Sequence, residues 1–432
     1  MNSIWVDDIK RIRFEPLKQN KSTDVLIIGG GIAGILCAYK LKQKGIDCIL
    51  VEADQICGGI TKNTTAKITF AHGLIYDKII NKYGEHIARL YLEAQIDACE
   101  EYNALCQNIE CNYEKKNSYV YSLQSIERIE NEISALKRLG IDAKMTNTLG
   151  LPFKVAGAVC VQNQAQFHPL KFLLSLSRDL PIYENTKIIE LMPNKAITQY
   201  GEITYKKAII TTHFPILNKH GGYFLKMYQH RSYVLALSTA SKVEGMYVDE
   251  SDKGLSFRTF GELLLLGGGG HRTGKSGGSY GELENFAKKY YPQAKIVGRW
   301  ATQDCMTLDK IAYIGQYSKS TPDLLVATGF NKWGMSTALA AANILCDLVQ
   351  GNNNKYEKVF LPSRSILHSQ LIVNAFETTV SMLTPTAPRC PHLGCALKYN
   401  YAEHSWDCPC HGSRFTEKGE LIDNPATDDK ML

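Results

Sequence analysis

Apolar and polar positions fall into a few readable patterns along this chain. Val25 to Ile28 form a short, continuous apolar run, and Gly29, Gly30 and Gly31 interrupt it. From Ile32 to Lys44 the apolar set Ile35, Leu36, Tyr39 and Leu41 returns at helical spacing. "IDCILV" is a second apolar run, closed by Glu52. The order predicted is strand, tight turn, helix, strand. A similar unit comes late, in "DLLVATGFNKWGMSTALAAANILCDLV". There a strand and a glycine turn should lead into a helix from about Gly334, with Met335, Ala338, Leu339 and Ala342 on one face. The distance between the units predicts that the second closes the same sheet from afar. "RSILHSQLIVNAFETTVSMLTPTAP" reads as a helix ending at Pro385.

The first unit carries chemistry. Gly29-x-Gly31-x-x-Gly34 stands between strand and helix. Gly29 permits the turn, Gly31 lets the backbone approach a pyrophosphate, and Gly34 lets helix and strand pack closely. Ile32 and Ala33 open the helix, whose N-terminus favours an anion. Glu52 can accept hydrogen bonds from ribose hydroxyls. This is a dinucleotide site; the alternative is a glycine-rich turn in another α/β fold.

The triplet Gly29-Gly30-Gly31 with "VEAD", the loop "GGITKNTTAKITFAHG" containing Thr64 and Thr65, and the late turn with Gly329, Trp333, Gly334 and Met335 resemble the D-amino-acid-oxidase-like superfamily, which includes glycine and sarcosine oxidases. "KAIITTH" and "WATQDCMTLDKIAYIG" extend the resemblance over residues 22–352. It implies FAD and an α/β, Rossmann-like FAD-binding domain with an inserted α+β substrate domain. FAD-binding pieces are expected at 22–105, 150–215 and 295–352, and substrate-domain pieces at 106–149 and 216–294. No second G-x-G-x-x-G occurs, so an NAD(P)H domain is not indicated.

"LLLLGGGGHRTGKSG" satisfies the phosphate-loop pattern through Gly269 and Gly274-Lys275-Ser276. In such loops the helix starts at the GK[ST] itself. Here Gly277 and Gly278 disfavour a helix, and Ser279 with Glu282 makes a capping box, so the helix should start after Ser279. Leu283, Phe286, Ala287 and Tyr290 then keep the 3.6 period. ATP binding is therefore not expected. His271 or Arg272 is a candidate to face a substrate pocket; a solvated turn is the plain alternative.

Composition narrows the class. The chain has 432 residues, 44% hydrophobic and 21% charged, with a net charge of +6. No basic arm supports nucleic-acid binding. No run approaches the ~18 apolar residues of a transmembrane segment, and the N-terminus does not read as a signal peptide, so a cytoplasmic protein is expected. Of thirteen cysteines, nine are scattered from Cys37 to Cys346 and four fall within Cys390–Cys410.

That cluster reads Cys390-x-His392, fifteen intervening residues, then Cys408-x-x-His411. Two thiolates and two imidazoles suit either a Rieske [2Fe–2S] centre or zinc. "HLGC" and "CPCHGSRF" resemble Rieske proteins. The resemblance implies an iron–sulfur cluster on Cys390, His392, Cys408 and His411. In Rieske proteins of respiratory quinol-oxidising complexes, the cysteines matching Cys395 and Cys410 form a disulfide. A small all-β Rieske domain, shortened to its cluster-binding half, is expected over 385–432 after a helical linker at 353–384. His404 reads as a solvated loop residue. Ser413 matches one of two hydroxyls near the cluster of high-potential relatives, while the tyrosine position carries Phe415.

Together these readings describe an FAD-dependent oxidoreductase. It would oxidise a small amine or amino acid and pass electrons through the cluster to an external acceptor, ferredoxin-like or quinone-like. His271 and Lys332 are weak catalytic candidates; Lys332 reads equally as a surface lysine. Cys305 is either a buried thiol or a point of covalent flavin attachment. Two alternatives remain: a redox relay without an organic substrate, and an oxidase whose tail is a structural or docking module.

Overall fold

The computed structural model of the protein describes residues 3–217, 220–364, 369–384 and 388–427. Three sheets organise it. The first has eight strands, and its central path runs Tyr313–Ser318, Thr321–Thr328, Gly201–Ile210, Lys21–Ile28, Cys48–Val51, Ile182–Tyr183. Lys21–Ile28 is parallel to both neighbours, with Val25 opposite Lys207 on one side and Cys48 on the other. A central parallel strand is covered on both faces, so its apolar run is continuous rather than alternating. The helix Ile32–Gln43 follows the glycine turn. The helix Gly334–Val349 packs against it and is apolar almost all round, as a helix inside a core must be.

The second sheet has nine strands. Its path runs Lys295–Thr307, Met227–Ser238, Leu263–Arg272, Ser256–Phe260, Met246–Asp249, Glu114–Ser122, Gly157–Gln166, Lys67–Ile68. It faces the first sheet across the functional cavity. Three of its strands, Lys67–Ile68, Gly157–Gln166 and Lys295–Thr307, come from the stretches 22–105, 150–215 and 295–352 expected as FAD-binding pieces. Gly157–Gln166 pairs with Glu114–Ser122, and Lys295–Thr307 pairs along the full length of Met227–Ser238. Both strands take their sheet from partners distant in sequence, which a local apolar pattern does not report.

The helix after the phosphate-loop-like stretch is Tyr280–Tyr290, with Ser279 as its cap. Ser279 Oγ accepts from Gly281 N at 3.2 Å. The one-turn helix Glu357–Phe360 and the longer helix Ser369–Leu383 occupy the linker; Pro385 lies outside the described residues.

The third sheet is the antiparallel set Lys398–Asn400, Ser405–Asp407, Arg414–Thr416 and Leu421–Asp423. So small a unit has little core of its own. Buried ion pairs hold it together and to the body. Arg414 reaches Asp407 at 3.0 Å, Asp423 at 3.1 Å and Glu403 at 3.1 Å. Arg231, 2% exposed on the second sheet, donates through Nε to Glu403 at 3.0 Å. Multiple charge-assisted bonds to each ion offset its desolvation.

Candidate functional site

A cavity of about 810 Å³ lies between the first two sheets. One end is the glycine turn. Gly29 sits at φ +108°, and a Cβ on Gly34 would stand 1.9 Å from Gly29 O, so strand and helix touch there. At Gly31 a Cβ would meet only Thr61 Oγ1, at 3.3 Å. That opening beside the first turn of a helix is the cradle a pyrophosphate needs. Glu52 accepts from Gly30 N at 2.6 Å and Asp54 N at 2.9 Å, and burial raises its pKa against those bonds.

The expected cofactor residues Gly29, Gly31, Ile32, Ala33, Glu52, Thr64, Thr65, Gly329, Trp333, Gly334 and Met335 all line this cavity. Gly34 is the exception: it packs the helix and does not line the space. Sequence reasoning missed three further lining groups. His72 stacks on Trp333 at 4.9 Å and is held by Tyr91 and Ser336; burial pushes its pKa down to about 3. Lys67 is pushed down to about 7, by burial first and then by Arg258. Asp304 is raised by burial, against the nearby positive charge of Lys332. Lys332 does line the cavity. Its Nζ donates to Asp252 O at 3.3 Å, and burial lowers its pKa. His271 is not among the lining residues. It stacks behind Tyr233, at 5.8 Å, because its strand turns that side chain toward the third sheet. Arg272 also faces away, donating to Asn374, Pro409 O and Cys410 O. Cys305 is a buried, cavity-lining thiol that donates to Gln229 Oε1 at 3.4 Å.

The cysteine–histidine cluster forms a second centre. The thiols of Cys390 and Cys408 lie close enough to perturb each other's ionisation. Backbone N–H groups of His392 and Leu393 point to Cys390 Sγ, and those of His411 and Cys410 to Cys408 Sγ. The rings of His392 and His411 lie 5.0 Å apart. Both ring nitrogens of His411 are buried without a hydrogen-bond partner among the described residues, although the Phe224 carbonyl approaches the ring. Burial pushes His411 down to about 3 and His392 to about 4, so both are neutral imidazoles able to bind metal. Cys395 and Cys410 are joined by a disulfide that ties the two loops. Two thiols and two neutral imidazoles at one place fit a [2Fe–2S] cluster, with backbone donors to its cysteine sulfurs. His404 is exposed and pairs with Glu417.

The family model for FAD dependent oxidoreductases matches residues 24–348. The chain belongs to that family. A Rieske [2Fe-2S] domain model matches residues 365–430, starting within the expected linker. The Bacillus subtilis protein named as the Rieske 2Fe-2S iron-sulfur protein YhfW is 34% identical over 98% of this chain and 95% of its own. The gamma-glutamylputrescine oxidoreductase of Escherichia coli is 21% identical over 80% of this chain and 87% of its own. Among solved structures, glycine oxidase from Geobacillus kaustophilus superposes with a TM-score of 0.66 at 16% identity, covering 80% of this chain and all of that one. This FAD-dependent oxidoreductase thus binds FAD and a [2Fe–2S] cluster. Among the described residues no helix is long and apolar enough to cross a membrane.

Proposed function

We propose that this flavoprotein dehydrogenates a small amine or amino acid and sends the electrons through its cluster to an external acceptor, ferredoxin-like or quinone-like. The observation that carries the reading is a shared wall. Leu421, Ile422, Asp423, Asn424, Ala426 and Thr427, all from the cluster-bearing unit, line the same cavity as the glycine turn.

Bound FAD would supply a hydride acceptor for a C–H bond next to nitrogen, and the cluster a one-electron carrier. The chain's own groups do the rest. Gly31 and the first turn at Ile32 and Ala33 would hold the pyrophosphate, and Glu52 the ribose. Thr64, Thr65, Gly329 and Trp333, which line the same cavity, would contact the flavin. Gly334 and Met335 open a helix whose positive end favours negative charge beside them. Lys332 lines the cavity and burial lowers its pKa, so we assign its amine to take the proton from the substrate ammonium, with Asp304 beside it. Cys390, His392, Cys408 and His411 hold the cluster, and Cys395 with Cys410 braces it.

The polar space at Ser232, Ser256, Thr302 and Asp304 favours an organic substrate over a pure relay, which needs no such chamber. Nine free thiols outside the cluster favour a reducing compartment such as the cytoplasm. The test is an anaerobic screen of amines and amino acids. Flavin bleaching followed by cluster reduction supports the reading. Cluster reduction only by a protein donor supports the relay, and flavin bleaching without cluster reduction makes the tail a structural module.

A further inference from the structure

Three residues connect the two centres. Thr212, His213 and Phe214 follow the strand Gly201–Ile210, at the end that abuts the glycine turn. Thr212 and His213 line the flavin cavity. Phe214 lies behind them, 1% exposed. Its ring stands 6.5 Å from that of His392 and 6.4 Å from that of His411, edge to face in both cases. Phe224 closes the other side of His411 at 6.0 Å. The cluster unit therefore presents its imidazole end to the body.

The segment is fixed from both sides. Asn424 of the cluster unit donates to Thr212 O at 2.5 Å and to Phe214 O at 2.9 Å. Asn424 O in turn accepts from Gln229 Nε2 at 3.2 Å. Thr328 Oγ1 donates to His213 O. Gln303 Nε2 donates to Gly412 O at 2.9 Å, holding the second cluster loop. Nothing in this arrangement requires the cluster unit to swing: the imidazole end is already seated.

We propose that Phe214 is the packed bridge through which electrons pass from the flavin site to the histidine-bound iron. The inference rests on the flavin-to-cluster reading above and names its route. A hydride brings two electrons to the flavin. They leave one at a time, each reducing one ferric iron to ferrous, and an external one-electron acceptor reoxidises the iron between the two transfers. Tunnelling slows steeply with the length of the gap, and more steeply through a void than through packed atoms. Phe214 fills the space between the imidazoles and the cavity wall, so its ring sets how much of that gap is filled. It is a positioning residue, since it touches the cluster ligands and not the substrate.

Flash photoreduction of the flavin in the holoprotein by an external deazaflavin tests this without any substrate. Optical bands of flavin and cluster report the internal transfer. Phe214→Ala and the better-filled Phe214→Leu should slow that transfer, Ala by an order of magnitude or more, and Phe214→Tyr should keep the native rate. Flavin content, cluster spectrum and cluster potential should stay native throughout. Native transfer rates in both aliphatic variants, with both groups bound, would overturn the bridge and leave the function reading standing. No flavin-to-cluster transfer in the unmodified protein would sink the function reading itself. Should both aliphatic variants lose the cluster, Asn424→Ala, which releases the segment without touching an imidazole, decides the matter. Slower transfer there supports the bridge, and an unchanged rate overturns it.

Discussion

Gly274 and Pro409 meet backbone to backbone: a Cβ on Gly274, whose φ is +71°, would stand 2.5 Å from Pro409 N and 2.9 Å from the Cys408 carbonyl carbon. The stretch that imitates a phosphate loop is the seat of the second cluster loop. Arg272 beside it donates to Pro409 O and Cys410 O, both at 3.3 Å. Gly274→Val should therefore push the loop out, and the Rieske-type spectrum should fade while flavin absorbance stays. Lys275→Ala should change no affinity for ATP in calorimetry. A native cluster spectrum in Gly274→Val would show that the contact is dispensable.

Gly31 faces open space, so Gly31→Val meets little protein and much ligand. The variant should fold, because only Thr61 Oγ1 lies within 4 Å of the new Cβ. It should be purified without flavin, since the side chain occupies the pyrophosphate cradle. Full flavin content in Gly31→Val would place the cofactor elsewhere.

Arg231 anchors the cluster unit from inside the body. Arg231→Met removes one cation from Glu403 and leaves only Arg414 against it. Breaking a buried pair by removing one partner costs on the order of 3 kcal/mol. The cluster should bleach at a lower denaturant concentration than that which releases flavin, whereas the two should be lost closer together in the native protein. Unchanged cluster loss would mean that Arg272 and Gln303 suffice to hold the unit.

What the sequence made legible follows from how local each signal is. Gly29, Gly31, Gly34 and Glu52 lie within one strand–turn–helix–strand unit, so their spacing alone reports their geometry. The cluster ligands are equally local, two to each loop. The second sheet is different. Lys295–Thr307 owes its place to Met227–Ser238, and Gly157–Gln166 to Glu114–Ser122, so neither strand declared its sheet. His271 is a candidate to face the pocket from its place in the family's fold, but the strand's register turns it behind Tyr233. His72 and Lys67 lie in the quoted loop after Glu52 and Asp304 in the quoted stretch from Trp300, but neither stretch singles those positions out. Burial beside a cavity makes them notable, and burial is a property of the fold.

Glu132, which lines neither centre, gives the protein a pH dependence of its own. It accepts from Tyr76 N at 3.0 Å and Asp77 N at 2.9 Å, capping the helix Tyr76–Tyr83. Burial outweighs those bonds and pushes its pKa from 4.5 up to about 7. Between those values the folded protein holds the proton more tightly than the unfolded chain. The site's contribution is therefore complete below pH 4.5 and falls as the pH rises toward 7, by at most about 1.4 kcal/mol per pH unit. Glu132→Gln does not titrate and loses one acceptor, so it should be less stable at low pH. The gap to the native protein should narrow as the pH is raised, as followed by denaturant unfolding. A gap that stays constant or widens would contradict the raised pKa.

Hydrogen bonds to cluster sulfurs stabilise the reduced, more negative state and raise the potential. Ser413 is fully buried, and its Oγ accepts from Ala426 N at 2.9 Å, which leaves its proton for Cys390 Sγ. Phe415 packs in the same small core as Cys390, Cys395, Cys408 and Cys410 and offers no hydroxyl. One of the two donors expected of a high-potential Rieske centre is thus present and one is missing. The potential should fall below that of quinol-oxidising relatives, within the broad Rieske range of about −150 to +300 mV. A lower value leaves the cluster able to take electrons from reduced flavin and still hand them to a ferredoxin-like or quinone-like acceptor. Phe415→Tyr should raise the potential and Ser413→Ala should lower it, both with the cluster spectrum intact, in protein-film voltammetry. The direction separates a hydrogen-bonding effect from a packing effect: a ring that merely filled the core would leave the potential where it was. A potential in Phe415→Tyr that stays level or drops would show that the hydroxyl at this position does not control the cluster.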